Sequence, residues 1–180
     1  MSVNSKRHVL LTGMMGAGKT SVGAALAASL GWRFCDLDAI IVQQRGQSVA
    51  EIFHQFGETA FRQWEQATLA AELRKTGASV VALGGGAVTT EANHGLMRPF
   101  PVVWLDGTVE TMWSRIEGSD RPLAVGRTMA DFRRLFEQRK PLYQRLSQLR
   151  IDASIKSPET IAAEIARWLR ARWEENADEQ

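Results

Sequence analysis

The chain has 180 residues, 44% of them hydrophobic, with 22 Lys and Arg set against 20 Asp and Glu. That composition suits a globular protein with a sizeable core and excludes a disordered chain. The net charge is only +2, no basic block is present and no apolar run reaches membrane-spanning length, so neither a nucleic-acid nor a membrane partner is expected. Met1 to Arg7 is polar and lacks the apolar core of a secretory signal, and the one cysteine, Cys35, excludes an internal disulfide. A cytoplasmic location follows as the expectation.

Val9-Leu10-Leu11 predicts a first strand, and the apolar run from Ala24 to Leu30 a helix that Gly31 stops. Between them, Gly13-Met14-Met15-Gly16-Ala17-Gly18-Lys19-Thr20 fits G-x-x-x-x-G-K-[ST]. In such a loop the glycines let backbone N–H groups close around phosphates at the positive end of a helix. Lys19 would reach the β- and γ-phosphates and the Thr20 hydroxyl would hold Mg²⁺. The nucleotide-binding set is thus Gly13, Met14, Met15, Gly16, Ala17, Gly18, Lys19 and Thr20, with Ser21 beside them.

Arg33-Phe34-Cys35 reads as a short second strand, followed by helices over roughly 39–45, 48–56 and 59–75. Strands at Ser79-Val80-Val81-Ala82-Leu83 and Pro101-Val102-Val103-Trp104-Leu105 come next. Then follow a helix over 108–117, a polar stretch from Gly118 to Thr128 and a helix over about 130–139 that Pro141 should close. Arg150-Ile151-Asp152-Ala153 is a last strand, and a closing helix begins after Ser157-Pro158. The acidic tail, 174–180, has no apolar pattern and is expected to fray. Strands alternating with helices predict an α/β fold, a parallel sheet with helices on both faces in one domain spanning 1–180. Ligands of such sheets gather beyond the carboxyl ends of the strands. The phosphate loop, Asp36/Asp38 and Gly84-Gly85-Gly86 each follow a predicted strand, so all three should meet in one crevice.

Asp36-Leu37-Asp38 carries two carboxylates where a Mg·ATP enzyme needs them, one near the metal and one toward an acceptor hydroxyl. Asp38 also reads as the N-cap of a helix beginning at Ala39, and the two roles are compatible. Asp106 ends an apolar strand like a second metal aspartate, but Asp106-Gly107-Thr108 is also a turn into a helix. Arg62 and Glu65 stand one helical turn apart, either as a surface ion pair or as an arginine held in place to grip a carboxylate. Three successive glycines allow a close backbone approach to a ligand. The stretch 118–128 has the length of a mobile lid, from which Arg121 could close on a transferring phosphate. Cys35 reads as a packed thiol. His8, His54 and His94 show no metal spacing, and the tryptophans read as packing residues.

In this order these pieces resemble the shikimate kinases. The likeness runs through the phosphate loop at 13–20, D-L-D at 36–38, G-E-x-x-F-R-x-x-E at 57–65, G-G-G-A-V at 84–88, R-P-L at 121–123 and R-K-P-L-Y at 139–143, from about Lys6 to Trp173. It implies a P-loop NTPase, nucleoside-monophosphate-kinase-like fold with a five-stranded parallel sheet and a mobile lid. It also implies transfer of the γ-phosphate of ATP to the 3-hydroxyl of shikimate, on the route to chorismate and the aromatic amino acids. Implied as catalytic are Lys19, Asp38 and Arg121; as Mg²⁺ residues, Thr20 and Asp36; around adenine, Arg115 and Pro158. Shikimate would be held in a region of about 36–65 and beyond, by Asp38, Phe53, Phe61, Arg62, Gly84, Gly85, Gly86 and Arg139, with Glu65 orienting Arg62. ATP and shikimate are the implied partners and a monomer the expected state. The sequence departs from the family in Ala124 after R-P-L, where leucine is commoner, and in Lys156, where an arginine near adenine is frequent. A kinase of another metabolite, a silent nucleotide-binding module and an ATPase relying on Asp106 are the competing readings; no N-K-x-D segment supports a GTPase.

Overall fold

The computed structural model describes residues 7–119 and 127–178, the side chains through Glu174. Five strands, β1 (His8–Thr12), β2 (Arg33–Asp36), β3 (Ser79–Ala82), β4 (Val102–Asp106) and β5 (Leu149–Asp152), form one parallel sheet in the order β2-β3-β1-β4-β5. Leu10 of the central strand lies opposite Val81 on one side and Val102 on the other. β1, β3 and β4 are buried along their whole length, which accounts for their unbroken apolar runs: a strand covered on both faces has no polar side. The edge strands instead carry exposed charge at Arg33 and Arg150, which discourages pairing with another sheet.

Among the described residues, seven α-helices accompany the sheet: α1 (Lys19–Leu30), α2 (Leu37–Arg45), α3 (Val49–Arg74), α4 (Glu91–Met97), α5 (Val109–Ser114), α6 (Met129–Leu146) and α7 (Pro158–Asp178). α1 packs on α7, whereas α6 packs on β4 and on a short 3₁₀ turn, Ala87–Thr89, that follows the three glycines. Trp104 of β4 and Tyr143 of α6 stack with ring centroids 5.9 Å apart in that second layer. Local signals set the expected boundaries. Gly31 ends α1 at φ 67, Ser48 and Glu51 form a capping box on α3, and Thr128 and Asp131 form another on α6. The helices read at 48–56 and 59–75 are one element with a joint at Gly57, whose φ of 79 and ψ of 168 break the helix.

Three expectations are corrected. α2 begins at Leu37, and its cap is Asp36, which accepts from the N–H groups of Asp38 and Ala39; Asp38 lies inside the first turn. Pro141 does not end α6, which continues five residues to Leu146. Phe132, Phe136, Arg139 and Tyr143 form one buried stripe along this helix, so packing on both sides of the proline outweighs its missing hydrogen bond. The acidic tail is helical as far as Asp178 rather than frayed from Glu174. α4 and the 3₁₀ turn had no expected counterpart; with one to two turns each and Gly95 inside α4, they carry too little periodicity to read.

Candidate active site

The phosphate loop turns directly out of β1, and two of its glycines are required by space as well as by backbone angle. A Cβ on Gly13 (φ 142) would fall on the Leu105 carbonyl oxygen, and one on Gly16 (φ 79) on the Met112 carbonyl oxygen. The loop is thereby wedged between β4 and α5. Lys19, the first residue of α1, folds back over it and donates to the carbonyls of Gly13 (2.7 Å) and Met14 (3.0 Å). Thr20 donates its hydroxyl to Asp36 Oδ2 at 2.7 Å. Asp36 therefore caps α2 with one oxygen and meets the phosphate-loop helix with the other.

These groups open onto a cavity of about 480 Å³, lined at one end by Gly16, Gly18, Lys19, Thr20, Ser21 and Arg115. At the other end it is lined by Asp38, Phe53, Phe61, Arg62 and the three glycines 84–86. Convergence at the carboxyl ends of β1, β2 and β3 is thus realised, and the volume suits small-molecule ligands. Phe53 and Phe61 face each other with centroids 4.9 Å apart and form the apolar wall.

Arg62 is 13% exposed and held by two carboxylates. Its Nη1 donates to Glu65 Oε2 at 2.8 Å, while Nη2 and Nε both reach Glu58 Oε1, at 3.0 and 3.3 Å. Glu65 is wholly buried, and its Oε1 has no hydrogen-bond partner among the described residues. Burial pushes the Glu65 pKa above its ordinary value; Arg62 opposes the shift and the Asp38 charge adds to it. The glycine strip is fitted to this group: a Cβ on Gly84 would collide with Glu65 Oε1 and lie 2.8 Å from Asp38 Oδ1. One on Gly86 would fall on the Arg62 guanidinium.

Arg139 and Pro158 lie off the cavity lining. Arg139 is 5% exposed beneath the glycine strip, with Nη1 3.3 Å from the Gly85 carbonyl and Nε without a hydrogen-bond partner among the described residues. Burial pushes its pKa down; Tyr143 and Glu58 oppose the shift, and Arg62 adds to it. Arg115 ties the phosphate loop to the residue after β5, donating to the carbonyls of Gly16 (3.0 Å) and Ala153 (3.3 Å). Lys156 is engaged by Glu164 at 2.9 Å. Arg121 and the centre of the expected lid lie outside the described residues.

Asp106 does not line this cavity. It is buried at the end of β4 and accepts from Arg150 Nε (2.8 Å) and Nη2 (2.6 Å) of the neighbouring strand. His8 is buried against Ser79 (2.8 Å), His94 is bound to the Val88 carbonyl (2.7 Å) and His54 is exposed, in keeping with structural roles. Two residues of the site were not read from the sequence. Glu58 sits inside the G-E-x-x-F-R segment at i,i+4 to Arg62, a spacing that signals an ion pair. Tyr143 closes R-K-P-L-Y and reaches the Gly85 carbonyl, 58 residues away in sequence, at 2.6 Å.

A phosphate loop at the head of a parallel sheet, opening onto a small pocket that carries an aspartate and a clamped arginine, defines a P-loop kinase of small molecules. The shikimate kinase family model matches residues 15–170. A shikimate kinase of Geobacter metallireducens is 42% identical over 172 residues, covering 94% of this chain and 95% of its own. One from a Synechococcus strain is 41% identical over 165 residues, covering 90% and 84%. Among solved structures, a shikimate kinase from Acinetobacter baumannii in complex with shikimate superposes with a TM-score of 0.87 at 32% identity, over 92% of this chain and 94% of that one. A deoxyadenosine kinase from M. mycoides, with a TM-score of 0.61 at 13% identity over 91% and 99%, shares the fold. The chain belongs to the shikimate kinase family.

Proposed function

We propose that this chain transfers the γ-phosphate of ATP to the 3-hydroxyl of shikimate, giving shikimate 3-phosphate and ADP. The observation that carries this reading is the single cavity with Lys19 and Thr20 at one end and Asp38, Arg62 and the glycine strip at the other. ATP enters with its phosphates on the loop 13–20, and Lys19 moves from the Gly13 and Met14 carbonyls onto phosphate oxygens. Arg115 and Pro158 flank the adenine.

Shikimate lies against Phe53 and Phe61 with its carboxylate toward Arg62 and Arg139 and its ring hydroxyls toward Gly84, Gly85 and Gly86. A buried guanidinium with an unsatisfied donor beside a second cation, as at Arg139, is costly unless an anion arrives. Asp38 orients the acceptor hydroxyl and receives its proton as the oxygen attacks phosphorus. Arg121 closes from the lid onto the moving phosphoryl group, and closure excludes water. Transfer is in line and direct, and the protein contributes positioning and charge neutralisation.

The Thr20 hydroxyl and Asp36 carboxylate, 2.7 Å apart, are hard oxygen donors suited to Mg²⁺. A cation of this kind is held mainly by substrate phosphates and water, with one or two protein oxygens. Bound there, Mg²⁺ would neutralise charge on the β- and γ-phosphates. The reading extends to one kinase domain acting as a monomer in the cytoplasm. The test is coupled ADP release from Mg·ATP by the purified protein with shikimate, quinate, gluconate or no acceptor. Release that depends on shikimate is the expected outcome, and equal release without an acceptor would sink the reading.

A further inference from the structure

We infer that Glu58 is an internal stand-in for the substrate's carboxylate: it occupies the Nε/Nη2 edge of Arg62 until an acid displaces it, and so sets both affinity and acid selectivity. The inference rests on the proposed grip of shikimate by Arg62.

Besides the Phe61 ring, whose centroid lies 5.3 Å from Cζ, three groups adjoin the Arg62 guanidinium, and they differ in how easily they can leave. Glu65 has no exposure, and moving it would strand a charge inside the protein. Gly86 abuts the guanidinium so closely that a methyl group would not fit between them. Glu58 is 54% exposed and can swing into water without stranding anything. Its hold is also the weakest in geometry: one oxygen, Oε1, is shared between Nε at 3.3 Å and Nη2 at 3.0 Å. A ligand carboxylate supplies two oxygens to such an edge and makes two parallel bonds, so the exchange favours an acid.

The charge of Glu58 also reaches the second cation. It acts on Arg139 with a sign opposite to that of Arg62, so this carboxylate offsets part of the repulsion between the two guanidinium groups, as a bound carboxylate would. The backbone explains why the stand-in is there. Gly57 interrupts α3 at φ 79 with no atom crowding it, so Glu58 opens the second helical segment one turn before Arg62. Glutamate before arginine at i,i+4 is the favourable order. A neutral polyol offers Arg62 hydroxyl acceptors but no charge in exchange for Glu58, and the contact discriminates against it.

Glu58→Gln removes the competing charge from an exposed side chain and leaves Arg62, Glu65 and Asp38 in place. The expected result is a fall in the shikimate Kd, by calorimetry, and in KM of about two- to fivefold, the range for a half-exposed ion pair. The kcat stays within about twofold, the pattern of a change in uniform binding. Benzoate, used as a plain carboxylate probe, should compete more strongly in the variant. A role in merely bracing Arg62 predicts the reverse, a weaker Kd, and that result or an unchanged Kd overturns the inference. If shikimate-dependent turnover persists in the wild type while Glu58→Gln binds no better, only the role of Glu58 falls. If the wild type shows no shikimate-dependent turnover, the stand-in falls together with the grip.

Discussion

Tyr143 donates a 2.6 Å hydrogen bond to the Gly85 carbonyl from a side chain with no solvent exposure. The same carbonyl receives Arg139 Nη1 at 3.3 Å, and the tyrosine hydroxyl lies 3.7 Å from Met14 Sδ. One side chain of α6 therefore ties the glycine strip to the phosphate loop from beneath. Its ring stacks on Trp104 of β4, the centroids 5.9 Å apart.

Tyr143→Phe keeps the ring and removes the donor. The Arg139 contact alone then serves the Gly85 carbonyl, and the expected loss is about 1–2 kcal/mol of stability. Calorimetric melting should show the midpoint lower by about 2–8 °C for a chain of this size. The shikimate KM should rise more than the ATP KM, because the hydrogen bond acts on the acceptor side.

Gly86→Ala and Gly57→Ala separate crowding from backbone strain. The added methyl at 86 meets the Arg62 guanidinium, whereas at 57 it meets open space but must sit at φ 79. Steady-state assays should show the shikimate KM of Gly86→Ala raised about tenfold or more, equivalent to roughly 1.4 kcal/mol of lost binding. Gly57→Ala should instead lose about 1–3 kcal/mol of stability in urea melts, the cost of a non-glycine residue at positive φ with extended ψ.

The raised pKa of Glu65 gives the site an acid limb. A carboxylate whose folded pKa lies above its ordinary 4.5 takes up its proton early as pH falls. The Arg62–Glu65 ion pair is then lost while exposed carboxylates are still charged. The linkage sign is that of a raised group: neutralising Glu65 relieves a burial penalty, so its own contribution to stability is present at low pH and declines as pH rises through the folded value. The pH profile of the shikimate KM should therefore climb on the acid side, beginning above 4.5. Glu65→Gln, neutral at every pH, should have a raised KM without that limb. A wild-type profile flat down to the ordinary glutamate range would count against this role.

Cys35 should be inert. It is 4% exposed, and burial together with its hydrogen bond to Glu72 pushes the thiol up to about 11 from the ordinary 9.0. Native protein at pH 8 should react with iodoacetamide far more slowly than urea-unfolded protein, because attack requires the thiolate. The raised value also implies stability that is complete below pH 9 and lost as pH rises toward 11. Urea melts across that window should fall less steeply for Cys35→Ala than for the wild type.

What the sequence determined by itself is local. The phosphate loop, the glycine stops and the buried strands are legible because each depends on a few neighbouring residues meeting one backbone geometry or one pattern of burial. Asp36, Asp38 and the glycine strip were legible as residues of the crevice that they line for the same reason, since each directly follows a strand. The tertiary structure decided whatever depends on partners far along the chain. Asp36 rather than Asp38 caps α2 while also meeting Thr20, 16 residues away. Asp106 is claimed by Arg150 across a strand pair that no local pattern encodes. Pro141 is carried through α6 because the stripe from Phe132 to Tyr143 is buried, and burial is settled only once the sheet is assembled. Arg139 comes to lie under Gly85, 54 residues distant. Backbone geometry is set within a turn or two of chain, whereas desolvation and charge pairing are set by whatever the fold brings alongside.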